Sequence, residues 1–340
     1  MSKWTGVSNL SLTLESGDES CSIYANGWNR IGVTITVEPT DEKGNSIEVD
    51  AKHLAGRLWL IDYVNESKLG WKGSSGWCYS AGANEFTAVP DRPGARSEAK
   101  PAVTTEAYGT RHVTFYVYCS PGVNRKSIGV RVVTDSGDTI TSSQGGAYQS
   151  RVVLSPLTSV TYMRRDINWD YTRARTKEGG NTKHVSTEAW NYYLSLDAGA
   201  ENYFVTFRAH GHYNDPGYEG MFAFDITPDD YHRYFRGGYV WYSEPHKSGT
   251  GTIVNFPHGN HWSDEVYTYD RANPERYLCL TWVRSTTTDF EWFTPNGPIF
   301  GLKSSYNTRI VAWDRYGNSG TFWMDGQDLD HGLQIYDHAP

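Results

Sequence analysis

Strict alternation of apolar and polar residues early in the chain constrains its fold more than any other sequence feature. In the stretch RIGVTITVEP, apolar residues stand at every second position from Ile31 to Val37, with Thr34 and Thr36 between them. A period of two places successive side chains on opposite faces, as in a half-buried β-strand. Asp41–Ser46 (DEKGNS) then supplies turn residues, because Gly and Asn tolerate positive φ. The pattern predicts a strand followed by a hairpin turn.

Similar alternation recurs along the whole chain. Leu10, Leu12 and Leu14 share one face of an earlier stretch, and Asp135–Asp138 (DSGD) is a hairpin candidate between two apolar runs. The aromatic content is 14%, and 34 Gly and 14 Pro supply many turns. Short alternating strands with frequent turns predict an all-β protein built from β-sandwiches.

The chain has 340 residues, enough for two domains that each bury a core. We predict a β-sandwich at 1–160 with a long Gly/Ser/Pro-rich loop inserted at 66–109, and an aromatic-rich β-sandwich at 185–340. Residues 161–184 between them are expected to form a basic linker or arm. One or two short helices are expected in the second domain. Thr227 and Pro228 can cap and open the first helix, and Ser186–Leu196 suits either a helix or a strand.

The stretch from Tyr24 to Val49 resembles the bacterial immunoglobulin-like modules of invasin- and intimin-type adhesins. Those modules begin with an Ala-(Asn/Asp)-Gly turn, followed by an alternating Val/Thr strand and Asp-x-x-Gly-Asn. The matching residues are Tyr24, Ala25, Asn26, Gly27, Val33, Ile35, Val37, Asp41, Gly44 and Asn45. The proline usual after Gly-Asn is Ser46 here, and the 66–109 insertion has no counterpart. The resemblance implies an immunoglobulin-like first domain of bacterial or phage origin, and it implies no catalytic residues.

Charge and hydropathy exclude several classes of protein. The net charge is −8 and no basic run interleaves with aromatic residues, which disfavours nucleic-acid binding. No apolar run approaches the roughly 20 residues that span a bilayer. The first twenty residues lack the apolar region of a signal peptide, so we expect cytoplasmic synthesis, with any release by lysis or a non-classical route. The four cysteines are expected to be buried free thiols, and they are Cys21, Cys78, Cys119 and Cys279.

Basic residues concentrate between Arg164 and His184 in this otherwise acidic chain. A solvated loop is the first interpretation. The alternative is an assembly arm that docks on the acidic surface of another copy; its proposed contact residues are Arg164, Arg165, Arg173 and Arg175.

Two histidine pairs raise the question of a metal site. His210 and His212 stand two residues apart, so on a strand both imidazoles face one side, and His258 and His261 stand three apart. Together they could hold a metal ion. Hydrogen-bonded histidines in turn-rich loops are the favoured interpretation, so no cofactor is expected.

Aromatic residues give a stronger argument for binding. Trp and Tyr interleave with Asp, Asn and His near turns at Tyr231–His246 and Asn260–Asp270. Such mixtures suit sugar stacking and protein interfaces, although many of the rings are expected to lie in the core. Trp28 lies beside the Asn26-Gly27 turn, and neither the strand alternation nor the turn chemistry requires a tryptophan there. The candidate binding surface is Trp28, Tyr239, Trp241, Tyr242, Trp262 and Tyr267.

These observations favour a non-enzymatic structural or binding protein of bacterial or phage origin, which acts by self-assembly or surface recognition. Its partner would be other copies of itself or a cell-surface glycan or protein. A carbohydrate-binding, lectin-like toxin component is the alternative, and a histidine-dependent metalloenzyme is the second alternative.

Overall fold

A computed structural model describes residues 3–86, 109–173, 185–197, 202–210, 221–228, 233–240, 250–254, 257–258, 261–262, 266–270, 278–287, 309–325 and 333–338. β-Strands dominate this part of the chain, which confirms the all-β prediction. The chain divides into two compact units. Unit 1 is residues 1–160 with 315–318, and unit 2 is residues 161–314 with 319–340.

The described residues of unit 1 form two sheets. Its strands are β1 (Gly6–Leu14), β2 (Ser20–Tyr24), β3 (Ile31–Thr40), β4 (Leu58–Asp62), β5 (Gly70–Trp71), β6 (Trp77–Ser80), β7 (Arg111–Cys119), β8 (Lys126–Val133), β9 (Thr139–Thr141) and β10 (Val152–Leu157). One sheet has the order β1-β3-β7-β6-β5, and the other has the order β2-β10-β8-β4, with β9 also paired to β8. Neighbouring strands are antiparallel except β5 with β6 and β2 with β10, which are parallel.

The predicted apolar face of β3 lies in the core of unit 1. Every second residue from Ile31 to Val37 is fully buried, and the three leucines of β1 are buried beside them. The second sheet contributes Ile128, Val130 and Val132 of β8 to the same core. Each such side chain stabilises the fold by about 1.5–3 kcal/mol through burial. Two sheets that share one core make unit 1 a β-sandwich.

The turn after β3 has the predicted hydrogen bonds, but it is not followed by a full second strand of the hairpin. Asp41 Oδ1 accepts hydrogen bonds from the backbone N–H groups of Lys43 and Asn45, both at 2.9 Å, and Gly44 has a φ of +80°. The returning arm pairs only through one bridge, Thr40 with Ser46. A short helix, α1 (Ala51–Ala55), follows after Asp50, which the alternation did not predict.

The described part of unit 2 contains two larger sheets and two two-stranded sheets. Its strands are β11 (Thr161–Tyr162), β12 (Ile167–Arg173), β13 (Val185–Leu196), β14 (Phe204–His210), β15 (Met221–Pro228), β16 (Arg233–Val240), β17 (Thr250–Val254), β18 (Pro257–His258), β19 (His261–Trp262), β20 (Val266–Asp270), β21 (Leu278–Thr287), β22 (Arg309–Asp314), β23 (Ser319–Asp325) and β24 (Gln334–Tyr336). The orders of the larger sheets are β11-β23-β22-β14, with β24 on β23, and β12-β13-β21-β16-β15, and the two-stranded sheets are β17 with β20 and β18 with β19. Residues of both sheets, including Leu194, Trp282 and Phe322, share the unit 2 core.

The helix predicted at Thr227 is wrong. Thr227 pairs with Tyr234, and Pro228 pairs with Arg233, across the antiparallel strands β15 and β16. Cap residues act locally, whereas pairing along eight-residue strands adds many hydrogen bonds, so the sheet prevails over the cap signal. The ambiguous stretch Ser186–Leu196 lies in strand β13.

The basic linker predicted at 161–184 is wrong for its first thirteen residues. Residues 161–173 form β11, a 3-10 helix (Arg164–Asp166) and β12. Strand β12 pairs with β13 along its whole length, from Ile167 opposite Leu196 to Arg173 opposite Trp190. Ile, Trp and Tyr alternate with polar residues in INWDYTR, which is the period of a β-strand. Within the described residues, no helix is long and apolar enough to cross a membrane.

Candidate functional site

The turn that connects β2 to β3, residues 25–30, is held by the side chain of Asn26; we call it the Asn26 turn. Asn26 Oδ1 accepts hydrogen bonds from the N–H groups of Trp28 (2.9 Å) and Asn29 (2.8 Å). Gly27 takes a φ of +77° and donates its N–H to the carbonyl oxygen of Cys119 at 2.9 Å. Asn stabilises such turns because its short side chain accepts from backbone groups two and three residues ahead.

Both ends of the Asn26 turn are anchored within unit 1. The fully buried Asn29 accepts the N–H of Tyr24 on its Oδ1 atom at 2.9 Å. Asn26 Nδ2 donates to the carbonyl oxygen of Tyr316 and to Oδ1 of Asn318, both at 3.1 Å. With the two bonds on its oxygen, the Asn26 amide makes four hydrogen bonds, so the backbone on both sides of Trp28 is fixed.

The Trp28 side chain is 49% exposed. The Trp28 ring meets Phe86 edge-on, with ring centroids 6.1 Å apart. The backbone carbonyl oxygen of Trp28 accepts a 2.7 Å hydrogen bond from Asn84 Nδ2. A Cβ atom on Gly317 would lie 2.6 Å from Trp28 Cβ, so this close approach requires glycine. The turn therefore presents a half-exposed indole from a rigid base.

A second exposed indole in unit 1 has a different setting. Trp71, on the edge strand β5, is 50% exposed and packs edge-on against Tyr79 (5.1 Å) and Phe115 (6.0 Å). These contacts make it an outward extension of the core cluster. Trp71 matches Trp28 in exposure, which makes it a suitable control for Trp28.

The structure describes the other predicted binding residues only in part. The backbone of Tyr239 lies in β16, that of Trp262 in β19, and that of Tyr267 in β20. Trp241 and Tyr242 lie outside the described residues.

The predicted metal ligands are similarly divided. His210 ends strand β14, and His258 pairs with His261 across the short hairpin of β18 and β19. His212 lies outside the described residues. Among the residues that are described, no group of three His, Cys, Asp or Glu side chains is placed to hold a metal ion.

The predicted assembly arm contains ordered backbone. Arg164 Nη1 donates to the carbonyl oxygen of Ile167 at 3.2 Å, while the Arg165 side chain is 84% exposed. Arg173 is the last residue of β12. Arg175 lies outside the described residues.

Sequence reasoning missed a concave site in unit 1, which we call the basic groove. Its volume is about 440 Å³, and it is formed by Asp62 and residues 67–69, 76–77 and 122–126, near the end of β4, the start of β6 and the β7–β8 connection. Its charged side chains are Asp62, Lys68, Arg125 and Lys126. The sequence signal is the pair Arg125-Lys126 at a strand start, which without the fold looks like any solvated charge pair.

An ion pair crosses the basic groove. Lys126 Nζ lies 2.6 Å from Asp62 Oδ2, and Asp62 Oδ1 accepts the N–H groups of Val64 (2.8 Å) and Asn65 (3.2 Å). Burial raises the pKa of the Asp62 carboxyl, but the hydrogen bonds from Lys126 and these two N–H groups outweigh burial, and the pKa falls below its ordinary value. Asp62 is therefore ionised at neutral pH and organises the loop.

Two buried thiols of unit 1, Cys78 and Cys119, are held in the protonated form. Burial raises the pKa of Cys119 to about 12, and burial also raises the pKa of Cys78. Cys78 Sγ donates to the carbonyl oxygen of Ser75 at 3.2 Å. None of the four cysteines forms a disulfide. Burial is confirmed for Cys78, Cys119 and Cys279, whereas Cys21 is half-buried.

No protein-family model and no curated protein sequence matches the chain. Among solved structures, it is similar to a putative membrane-anchored protein from Corynebacterium diphtheriae, at 11% identity and a TM-score of 0.19. That alignment covers 97% of this chain, which spans only 57% of the other protein's length. It is also similar to the C-terminal domain of the AgI/II polypeptide BspA from Streptococcus agalactiae, at 10% identity and a TM-score of 0.23. The alignment covers 92% of this chain and 97% of that one. TM-scores this low do not establish a shared fold.

Proposed function

We propose that this chain is a non-enzymatic recognition protein that binds the surface of a partner through Trp28. The observation that carries the proposal is the half-exposed Trp28 ring on a turn whose Asn26 amide makes four hydrogen bonds. A bacterial or phage origin belongs to the same proposal, on the resemblance of the Tyr24–Val49 stretch to adhesin modules.

The rigidity of the Asn26 turn favours binding. Ordering a flexible side chain at an interface costs about 0.5–1.5 kcal/mol. Here the backbone around Trp28 is already fixed from both sides, so only the indole itself loses freedom on contact. Tryptophan is enriched among the residues that dominate binding energy, because a large flat ring buries much apolar area.

The titration states of two buried thiols and two carboxyl groups of unit 1 favour binding over catalysis. A nucleophilic cysteine needs a lowered pKa, whereas the pKa values of Cys78 and Cys119 are raised. A general acid–base carboxyl works best with a pKa near neutrality, whereas Asp62 and Glu66 have lowered pKa values. For Glu66 the first cause is the hydrogen bond from Ser143, with further bonds from Thr141 and Arg131. These carboxylates act as fixed hydrogen-bond acceptors.

The partner is either another copy of the chain or a cell-surface glycan or protein. Self-association would bury Trp28 between copies, and a glycan would stack a sugar ring on the indole. Both depend on the same side chain, so the Trp28→Ala variant tests the shared claim.

The experiment compares wild type, Trp28→Ala and the matched control Trp71→Ala. Sedimentation over a concentration series measures self-association, and binding to a glycan array and to intact bacterial cells measures surface recognition. We expect wild type to score in at least one assay, Trp28→Ala to weaken that signal about tenfold or more, and Trp71→Ala to keep it. A wild type that remains monomeric and binds nothing, or equal losses in both variants, would contradict the proposal.

A further inference from the structure

The lining of the basic groove has an excess of positive charge, although the chain as a whole is acidic. The groove is lined by three cations and one anion, in a chain whose net charge is −8. Asp62 is the only acid in its lining, and its carboxylate is already paired with Lys126 at 2.6 Å. Among the residues that the structure describes, no carboxylate pairs with Lys68 or Arg125, so an anion is the complementary ligand.

The walls of the basic groove are held by hydrogen bonds within unit 1. Gly76 N–H donates to Ser120 Oγ at 2.8 Å, and Ser120 N–H donates back to the Gly76 carbonyl oxygen at 3.1 Å. Trp77 Nε1 donates to the carbonyl oxygen of Asn124 at 2.9 Å, next to Arg125. Lys68 Nζ lies 4.4 Å from the centre of the Trp59 ring, a cation–π contact that restrains the amine. The site is therefore largely formed before any ligand arrives.

The size and lining of the basic groove exclude a bare inorganic ion as its best occupant. The volume of about 440 Å³ falls in the range of small-molecule sites, far above what one small anion fills. Leu69, Trp77 and Val123 give the lining an apolar part, while Ser67 and Asn124 add a hydroxyl and an amide. An organic anion with an apolar face and several hydroxyl groups matches this mixture.

We propose that the basic groove binds a small sugar acid of the uronate class, with its carboxylate between Lys68 and Arg125. A guanidinium is suited to this role because its N–H groups can bind a carboxylate in two-point fashion. The sugar ring would lie along Leu69 and Val123, with Ser67 and Asn124 within reach of its hydroxyl groups. This binding is independent of the Trp28 contact.

The test uses the full chain and sodium glucuronate as the probe, followed by calorimetry or by amide chemical shifts. The variants Arg125→Gln and Lys68→Gln remove one groove charge each, and Lys43→Gln removes an exposed charge from the Asp41 turn as the matched control. We expect saturable binding by wild type and Lys43→Gln, and affinity about tenfold lower in each groove variant. Glucose has the hydroxylated ring without the carboxylate, and acetate has the carboxylate without the ring. Each is expected to bind at least about tenfold more weakly than glucuronate.

Three outcomes would overturn the proposal. They are the absence of glucuronate binding, equal affinity for acetate and glucuronate, or binding of a Glu-rich peptide in place of glucuronate. Unchanged thermal unfolding of the Gln variants would show that the fold is intact. Trp28→Ala is expected to bind glucuronate as wild type does, so loss of the Trp28 function and loss of the groove function are separable.

Discussion

Lys126 Nζ lies 2.6 Å from Asp62 Oδ2, and this pair links the end of β4 to the start of β8. The Asp62 side chain is 10% exposed and the Lys126 side chain 30% exposed. Asp62 also accepts two backbone N–H groups, so one carboxylate both closes a turn and neutralises a groove cation.

Replacing Asp62 by Ala should destabilise unit 1 by about 3 kcal/mol, because Lys126 loses its partner and two backbone donors lose their acceptor. Asp62→Asn should cost less, since its Oδ1 can still accept in the turn. Urea unfolding of both variants and wild type measures the difference. Equal costs for the two variants would mean that the turn bonds contribute nothing.

The Asp62 contribution should depend on pH in a defined direction. The folded pKa lies below the unfolded value of about 3.9, so the stabilisation is fully present above that value. It should be lost as the pH falls through the folded pKa. The stability difference between wild type and Asp62→Asn, measured from pH 7 downwards, should stay constant to about pH 5 and then shrink. A difference that grows on acidification would contradict this account.

Asn26→Ala should loosen the Asn26 turn without unfolding the sandwich. It removes the acceptor of two N–H groups and the donor to Tyr316 and Asn318, with an expected cost of about 2 kcal/mol. Amide hydrogen exchange at Trp28 and Asn29 should accelerate. Asn45→Ala, in the exposed Asp41 turn, serves as the control and should leave those two amides unchanged. Unaltered exchange in Asn26→Ala would show that the amide does not hold the turn.

Thiol reactivity provides a further prediction. With its pKa raised to about 12, Cys119 should hold a negligible thiolate fraction at pH 8 in the folded protein. Cys78 should be similarly slow, and the half-buried Cys21 should react first with iodoacetamide. Peptide mapping before and after unfolding in guanidinium checks this order. Modification of native Cys119 as fast as Cys21 would mean that the strand pairing around β7 opens readily.

Two neighbouring glycines test the turn that follows β9. A Cβ on Gly146 would lie 2.5 Å from the carbonyl oxygen of Thr141, whereas a Cβ on Gly145 would meet nothing within 4 Å. Gly146→Ala should therefore destabilise unit 1 by about 1–3 kcal/mol through steric overlap, and Gly145→Ala should be nearly neutral. Thermal unfolding of the two variants distinguishes them, and the reverse order would contradict the backbone path here.

Strand periodicity in the sequence predicted β1 and β3 because their alternation reflects burial on one face, and that burial is what the structure shows. The turn chemistry of Asp41 was equally readable, since its hydrogen bonds span only four residues. Residues Asp314–Ser319 (DRYGNS) share the Asp, Gly, Asn and Ser positions of Asp41–Ser46 (DEKGNS). There, however, Asp314 Oδ2 accepts from Tyr162 and Asn202, which are distant in sequence. Local similarity of sequence therefore did not fix the partner of the carboxylate.

Very short elements, and features that depend on distant segments, were not predictable from local patterns. Helix α1 has only five residues, too few to show a helical period. The cap signal at Thr227 was overridden by pairing between β15 and β16. The basic groove combines three loops spread over 65 positions, so no single stretch of sequence reveals it. Trp28 was identified because neither periodicity nor turn chemistry required a tryptophan there.

The central claim, that Trp28 is the contact with a partner, is most directly tested by hydroxyl-radical footprinting of tryptophan. In the free chain Trp28 and Trp71 have nearly equal exposure, so they should oxidise at similar rates. In the presence of the surface that wild type binds, whether cells, an arrayed glycan or the chain itself at high concentration, Trp28 should be protected while Trp71 keeps its free rate. Protection of Trp71 alone, or no change at either ring under conditions of full binding, would contradict the account.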